Sequence, residues 1–169
     1  MICVERDLAL VEGYSRVVLT PNLNEFKRLQ NCMGIIDLDC QAISAALSIA
    51  IIQKGKEDII AYKGVCHETQ TSNRNPRRCG GQGDLLAGIL ATFLAWANGV
   101  EKQRWDPHRS INGPLMYQCC ISACNVLRKC SWQAFLKANR GLSTSDIADL
   151  IPETLHLFLI ETVGSICIN

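Results

Sequence analysis

The chain has 169 residues, of which 48% are hydrophobic and 20% charged, and its formal net charge is +1. This composition can bury the core of one ordinary domain, and it excludes a disordered, collagen-like or linker protein. The balanced charge creates no bulk field toward nucleic acid or anionic membranes, and the apolar run over residues 85–97 is too short to span a bilayer. We therefore expect a soluble protein with no nucleic-acid or membrane partner.

The N-terminus and the cysteines indicate the compartment. Glu5, Arg6 and Asp7 occupy the positions where a signal peptide needs its apolar segment, which predicts a cytoplasmic protein. The ten cysteines contain no C-x-x-C pair, and only three histidines are present to complete a zinc shell. Cys120 and Cys124 have a spacing that could put them on one helix face, and buried thiols that pack as small apolar residues are the favoured interpretation for this pair. Reduced thiols suit a cytosolic protein.

The first part of the chain alternates strands and helices. A β-branched run predicts a strand over 17–20, and the apolar periodicity predicts helices over 24–33 and 39–48. A buried strand is expected over 49–52. Two short extended runs, 58–62 and 65–69, have the spacing of a hairpin.

The second part is helical after a polar loop over 71–83. A wide apolar stripe predicts a core helix from Asp84 that ends at Asn98–Gly99. Further expectations are a loop over 101–113, a helix over 115–129 with an extension over 132–137, and a last helix that is capped within 143–146 and disturbed by Pro152. Strands followed by helices favour a three-layer α/β fold, with helices on both faces of a mostly parallel sheet.

The stretch Cys79-Gly80-Gly81-Gln82-Gly83-Asp84 is the most informative part of the sequence. Glycines allow positive φ and close approach to a ligand, and the free amides and dipole of a helix N-terminus favour an anion. The pattern therefore predicts an anion cradle at the start of the core helix. Because Gln82 is not lysine and no Ser or Thr follows it, this is not a P-loop.

Asp84 has two interpretations. It is either an acid that caps the first turn of the helix, or a general base that takes a proton from a hydroxyl lying beside a phosphoryl group held by the glycine amides. From the residues alone the two stand about even.

Three motifs carry a resemblance to a known family. Residues 20–26 (TPNLNEF), 53–55 (QKG) and 77–84 (RRCGGQGD) resemble, in order and spacing, the ATP-dependent NAD(P)H-hydrate dehydratases of the ribokinase-like superfamily, and the similarity continues through 131–135 and 143–146. Members of that family use ATP and magnesium to restore NADH and NADPH hydrated at C6 of the nicotinamide ring, and they release ADP and phosphate. The sugar kinases of the superfamily tend to have G-A-G-D at this loop, so the resemblance is to the dehydratase branch.

The resemblance implies a role for each matching residue. Asp84 would be the catalytic base and would also contact the substrate. Residues that would line the hydrated nicotinamide nucleotide are Asn22, Leu23, Asn24, Glu25, Phe26, Lys27 and Arg28. Residues that would hold ATP are Lys54, Gly55, Lys56, Glu57, Asp58, Arg74, Asn75, Pro76, Arg77, Arg78, Cys79, Gly80, Gly81, Gln82 and Gly83. Asn125 and Thr144 are candidates for the adenine pocket, with a structural role favoured for each, and the ligands of Mg²⁺ are not identified.

Members of this family have about as much chain again before the strand at 17–20. We therefore expect residues 1–169 to be the C-terminal part of a single ribokinase-like domain, as in a shortened isoform. Two alternatives stay open: an inactive nucleotide-binding fragment, and a kinase of the same superfamily that acts on a small alcohol. The sequence also leaves open a homo-oligomer, and a mitochondrial form with a targeting segment upstream.

Overall fold

A computed structural model describes residues 1–14, 17–34, 39–69, 75, 78–103 and 113–166. The α-helices are α1 (Ile2–Arg6), α2 (Leu23–Cys32), α3 (Cys40–Leu47), α4 (Gln82–Gln103), α5 (Gly113–Ala138), α6 (Thr144–Asp149) and α7 (Ile151–Ile166). The strands are β1 (Val18–Leu19), β2 (Ala50–Gln53), β3 (Ile59–Tyr62) and β4 (Val65–Glu68), and short 3₁₀ turns cover Leu8–Leu10 and Asn139–Gly141. None of the described helices is long and apolar enough to cross a membrane.

The four strands form one sheet in the order β1-β2-β3-β4. Among the described strands, only β1 and β2 run parallel; β3 is antiparallel to both β2 and β4. The α/β class is confirmed, whereas the expected predominance of parallel strands is wrong for the described residues. The reason is the length of the connections, because a parallel pair needs a crossover of a dozen or more residues and the links at 54–58 and 63–64 are too short for one.

Helices α2 and α3 form where the sequence predicts them because both have side-chain caps. The Asn22 side chain caps α2, and the Asp39 carboxylate accepts a 2.7 Å hydrogen bond from the Ala42 amide at the start of α3. Both helices bury apolar faces in one core cluster with the first two strands. Members of this cluster with no exposed surface are Leu29, Ile43, Ile49, Ile51 and Ala61.

Helix α4 is longer than the sequence predicts. It continues to Gln103, so the expected stop at Asn98–Gly99 is wrong. A β-carbon added at Gly99 would meet no atom within 4 Å, and a glycine inside a helix costs only about 1 kcal/mol relative to alanine. The buried stripe of this helix is confirmed, with Leu86, Leu90 and Phe93 all less than 10% exposed.

The last helices also differ from the expectation. Helix α5 is continuous over Gly113–Ala138, so the expected extension past 129 is confirmed. The helix expected after Ser143 is two helices, because α6 ends at Asp149 and α7 begins at Ile151. Pro152 lies in the first turn of α7. Amide hydrogens in this turn make no intrahelical bond, so a proline there costs none.

The chain divides into two compact units. The first comprises residues 1–70 and 91–121, and the second comprises residues 71–90 and 122–169. That residues 1–169 belong to a single ribokinase-like domain stays a prediction.

The predicted burial of Cys120 and Cys124 is confirmed. Burial raises the pKa of the Cys120 thiol to about 12, and the neighbouring Cys119 adds to the shift. A thiol with so high a pKa is almost wholly protonated at neutral pH and is therefore a poor nucleophile. These side chains act as small apolar core residues.

Candidate active site

In the first unit, two predicted binding segments follow the parallel strands β1 and β2. The Lys54 amide donates a 2.8 Å hydrogen bond to the Pro21 carbonyl, and Asn22 and Lys54 form a parallel bridge that extends the strand pairing. Both segments therefore leave the sheet at the carboxyl ends of adjacent parallel strands. That edge is where open α/β sheets bind ligands. We call Asn22–Arg28 together with Lys54–Asp58 the strand-end site.

The beginning of α2 is shaped by a capping box. The Asn22 side-chain oxygen accepts hydrogen bonds from the amides of Asn24 (3.0 Å) and Glu25 (2.9 Å), and the Glu25 carboxylate accepts a 2.7 Å bond from the Asn22 amide. This cap gives both side chains a structural function that does not depend on any ligand. Their predicted contact with a nicotinamide nucleotide stays a prediction.

The other residues of this segment differ in exposure. Leu23, Asn24 and Lys27 are exposed, whereas Phe26 is 3% exposed and packs in the core. Phe26 therefore supports the segment from its buried side. Arg28 donates a 3.0 Å hydrogen bond from Nε to Glu5 of α1, and this contact raises the pKa of its guanidinium.

The Lys54–Asp58 segment is a tight turn built around one glycine. A β-carbon on Gly55 would lie 2.5 Å from the Glu57 carbonyl oxygen, so the turn admits only glycine at this position. The Asp58 carboxylate accepts a 3.2 Å hydrogen bond from the Gly55 amide, and the Asp58 amide donates a 2.9 Å bond to the Thr69 hydroxyl. Because Asp58 is 8% exposed, it stabilises the turn from inside, and Lys54 and Lys56 supply the positive charge.

In the second unit, the turn at 79–81 leads into α4, which begins at Gln82, two residues earlier than the sequence predicts; we call residues 79–83 the glycine loop. Gly81 has φ +89°, a conformation that L side chains rarely adopt. Its carbonyl accepts the amides of Asp84 (3.0 Å) and Leu85 (3.1 Å), which are the first bonds of the helix. Asp84 lies in the first turn of α4 and is exposed. Its carboxylate is therefore accessible to a ligand, as a general base must be.

Long-range hydrogen bonds hold the glycine loop and the segment before it. The Thr144 hydroxyl donates to the Gly80 carbonyl, and the Cys79 thiol donates to the Leu142 carbonyl at 3.2 Å. The Ser131 hydroxyl accepts from Asn75 Nδ2 at 2.7 Å and from Gln82 Nε2 at 3.4 Å. Each of these bonds joins residues at least 49 positions apart in the sequence.

These contacts change the interpretation of several predicted ATP-binding residues. The side-chain amides of Asn75 and Gln82 donate to the hydroxyl of Ser131 in α5, and their part in binding ATP stays a prediction. Ser131 and Leu142 were not among the predicted site residues. The resemblance covers Ser131 without giving it a role, and no sequence signal pointed to Leu142. Thr144, for which a structural role was favoured over the adenine pocket, contacts the loop, and its part in an adenine pocket stays a prediction.

Only some of the basic residues expected beside the glycine loop lie among the residues that the structure describes. Arg78 is exposed next to the loop. Arg74, Pro76 and Arg77 lie outside the described residues. Asn125 lies half-buried in α5, and its part in an adenine pocket stays a prediction.

The described residues contain no group of three or more His, Cys, Asp or Glu side chains that could hold a metal ion. Magnesium that accompanies nucleotides is bound mainly by phosphate oxygens and water, and it needs only one or two protein carboxylates. The described residues fit magnesium in that form. Asp84 is the exposed carboxylate that adjoins the loop.

The backbone defines the class of fold by its similarity to solved structures. A ribokinase-like superfamily protein from Enterococcus faecalis superposes with a TM-score of 0.62 at 21% identity, over 93% of this chain and 50% of that one. The fold is therefore ribokinase-like α/β.

The sequence comparisons define the family within that fold. Residues 3–153 match the family model of the NAD(P)H-hydrate dehydratases, and the chain belongs to this family. The ATP-dependent (S)-NAD(P)H-hydrate dehydratase of Batrachochytrium dendrobatidis is 39% identical over 85% of this chain and 47% of its own length. The Arabidopsis thaliana enzyme of the same name is 36% identical over 92% of this chain and 44% of its own.

This chain spans about half the length of the curated relatives that it matches. The family therefore follows from the comparisons, whereas the activity of the whole enzyme is carried over to this chain only as a proposal.

Proposed function

We propose that the chain takes part in the ATP-dependent dehydration of (6S)-hydrated NADH and NADPH, which yields NADH or NADPH, ADP and phosphate. One observation carries the proposal: the glycine loop, with φ +89° at Gly81, opens directly into a helix whose first turn presents the exposed Asp84. Membership of the NAD(P)H-hydrate dehydratase family supports it, as do the names of the relatives.

The proposed reaction begins with Asp84 as general base. Its carboxylate takes the proton of the C6 hydroxyl while that oxygen attacks the γ-phosphorus of ATP, and the bond from the phosphorus to the leaving ADP oxygen breaks. The ring nitrogen then expels phosphate from C6, and a proton leaves C5, which restores the C5–C6 double bond. No redox change occurs, and one ATP is converted to ADP and phosphate in each cycle.

The glycine loop provides the electrostatic part of this reaction. Free amides at the start of α4 point their partial positive charge at an anion, and they need no reorganisation as negative charge develops on the transferring phosphoryl group. Arg78, Lys54 and Lys56 are the cations that we assign to ATP. Magnesium, when bound to ATP, would neutralise phosphate charge and would be held mainly by phosphate oxygens and water.

The substrate segment is the exposed start of α2. Leu23 offers apolar surface, with 51% of the residue exposed, and Lys27 offers a positive charge to a dinucleotide phosphate. The capping box holds the backbone of this segment in one shape before any ligand arrives.

The test follows the absorbance of the reduced nicotinamide ring after ATP is added to hydrated NADH. We expect an ATP-dependent rise for the wild-type chain and a rate at least about 100-fold lower for Asp84→Asn, which keeps the shape and loses the base. Equal rates in the two proteins would reject Asp84 as the base.

Two further results would favour the alternatives. ATP binding without any turnover would indicate a nucleotide-binding fragment. ATP consumption with a small alcohol, and none with hydrated NADH, would indicate a kinase.

A further inference from the structure

The glycine loop has a neighbour that the proposed chemistry does not use. Thr144, the first residue of α6, donates its hydroxyl hydrogen to the carbonyl oxygen of Gly80, 64 positions earlier in the chain. Its methyl carbon lies 3.1 Å from the place where a β-carbon on Gly81 would stand. One side chain therefore contacts both residues at the centre of the loop.

The hydrogen bond to Gly80 also determines the direction of the next amide. A trans peptide unit is planar, and its carbonyl and N–H groups point in opposite directions. No cis peptide bond occurs in the described residues. When Thr144 holds the Gly80 carbonyl, it turns the Gly81 N–H to the opposite side of the peptide plane, away from α6.

The segment that carries Thr144 is itself held in place. A capping box fixes the start of α6: the Asp146 carboxylate accepts the Ser143 amide at 2.7 Å and the Ser143 hydroxyl at 2.6 Å. One residue earlier, the Leu142 carbonyl accepts the Cys79 thiol, and Leu142 is 2% exposed. Consecutive loop residues, Cys79 and Gly80, are thus bonded to one rigid segment.

We propose that Thr144 is a positioning residue, whose hydroxyl orients the Gly80–Gly81 peptide so that the Gly81 amide is presented to the phosphate groups of ATP. This inference rests on the proposed function, because it assigns the ligand of the loop as a nucleoside triphosphate. Thr144 itself touches no reacting atom. It acts through the backbone of the loop. Because the peptide is already oriented in the folded protein, ATP binding does not have to supply the free energy that orients it.

The experiment measures the dissociation constant of ATP, with magnesium present, for the full chain by titration calorimetry. Thr144→Val keeps the branched shape and loses the hydroxyl, and we expect it to weaken ATP binding about tenfold, the equivalent of one hydrogen bond. Thr144→Ser keeps the hydroxyl, and we expect it to bind within about threefold of wild type. Thr154→Val is the matched control.

The control removes a hydroxyl from the same unit, one that bonds to a side chain of α5 and not to the loop backbone. The Thr154 hydroxyl donates to the Gln133 side chain at 2.9 Å, and Thr154 is 1% exposed. We expect Thr154→Val to lower the unfolding temperature and to leave the ATP affinity of the folded fraction unchanged.

The backbone is monitored directly in the same proteins. With ¹⁵N- and ¹³C-labelled chain, the Gly80 carbonyl and Gly81 amide resonances should move in Thr144→Val and stay near their wild-type positions in Thr144→Ser. The inference would be overturned if Thr144→Val bound ATP as tightly as the wild type. It would also be overturned if the valine and serine variants weakened ATP binding equally, or if the wild-type chain bound no ATP. The dehydratase proposal can fail separately. In that case the chain would show no turnover, while wild type and Thr144→Ser would still bind ATP more tightly than Thr144→Val.

Discussion

The strand-end site and the glycine loop are built in different ways. Within each segment of the strand-end site, the bonds join near neighbours: Glu25 accepts the Asn22 amide, and Asp58 accepts the Gly55 amide, each across three residues. One longer bond, from the Lys54 amide to the Pro21 carbonyl, connects the two segments. In the glycine loop, Gly80 is held by Thr144, 64 residues away, and Cys79 by Leu142, 63 residues away. The shape of the first depends mostly on its own sequence, and the shape of the second depends on helices that come later in the chain.

This difference predicts how each region responds to substitution. A local contact fails when its own residues change, and no change elsewhere restores it. A long-range contact couples two distant positions, so a second substitution can relieve the first, and the effects of the two are not additive. Four variants test this difference, in order of the expected loss of stability.

The largest loss is expected for Gly55→Ala. Its β-carbon would lie 2.5 Å from the Glu57 carbonyl oxygen, so the backbone of the turn has to move. We expect the free energy of unfolding in urea to fall by about 3 kcal/mol, at the upper end of the effect of overpacking. Because the clash lies inside the turn, the loss should be the same with Thr144→Ser present. A loss below about 0.5 kcal/mol would show that the turn is not locally determined.

Gly81→Ala should cost less, about 2 kcal/mol, since it combines the strain of φ +89° with a 3.1 Å contact to the Thr144 methyl group. Thr144→Ser removes that methyl, so the double variant should recover the steric part of the loss and retain the strain. A double-mutant cycle in urea measures the coupling. Gly88→Ala is the control on the same helix, where an added β-carbon meets no atom within 4 Å and helix propensity gains.

Strictly additive losses would contradict the contact between Gly81 and Thr144. They would also weaken the argument that α6 determines the shape of the loop.

Asn22→Ala should cost about 1 kcal/mol, because it leaves the first amides of α2 without their cap. Asn22→Asp, which retains an acceptor for the Asn24 and Glu25 amides, is the matched control and should stay within a few tenths of a kcal/mol. Thermal unfolding of the three proteins is sufficient to compare them. A neutral alanine variant would show that the capping box does not stabilise this segment.

The smallest effect should be a pH dependence of the α6 cap. Hydrogen bonds from Ser143 lower the pKa of the exposed Asp146 carboxyl below its usual range. Its contribution to stability is therefore complete above the unfolded-state pKa of about 3.9, and it is lost as the pH falls through the lower folded-state value. We expect acidification below about pH 4 to narrow the difference in unfolding temperature between wild type and Asp146→Asn. A constant difference across that range would contradict the cap.

Much of the fold could be predicted from the sequence. The hairpin, the capped helices α2 and α3 and the apolar stripe of α4 all follow from patterns that repeat over two to four residues. The end of α4 could not, because a glycine in a helix is only mildly unfavourable and packing of neighbouring turns decides whether the helix continues. Parallel and antiparallel pairing of strands also depends on partners that no periodicity identifies.

For the candidate site, the sequence by itself determined the chemistry-bearing residues: a glycine turn that opens a helix, an aspartate in its first turn, and motifs of the NAD(P)H-hydrate dehydratase family. Only the tertiary structure decided which residues hold that turn in shape. Ser131, Leu142 and Thr144 lie far along the chain, and their hydrogen bonds to the loop exist only once α5 and α6 have folded. Local patterns determine what a residue can do, whereas contacts between distant segments determine where it is held.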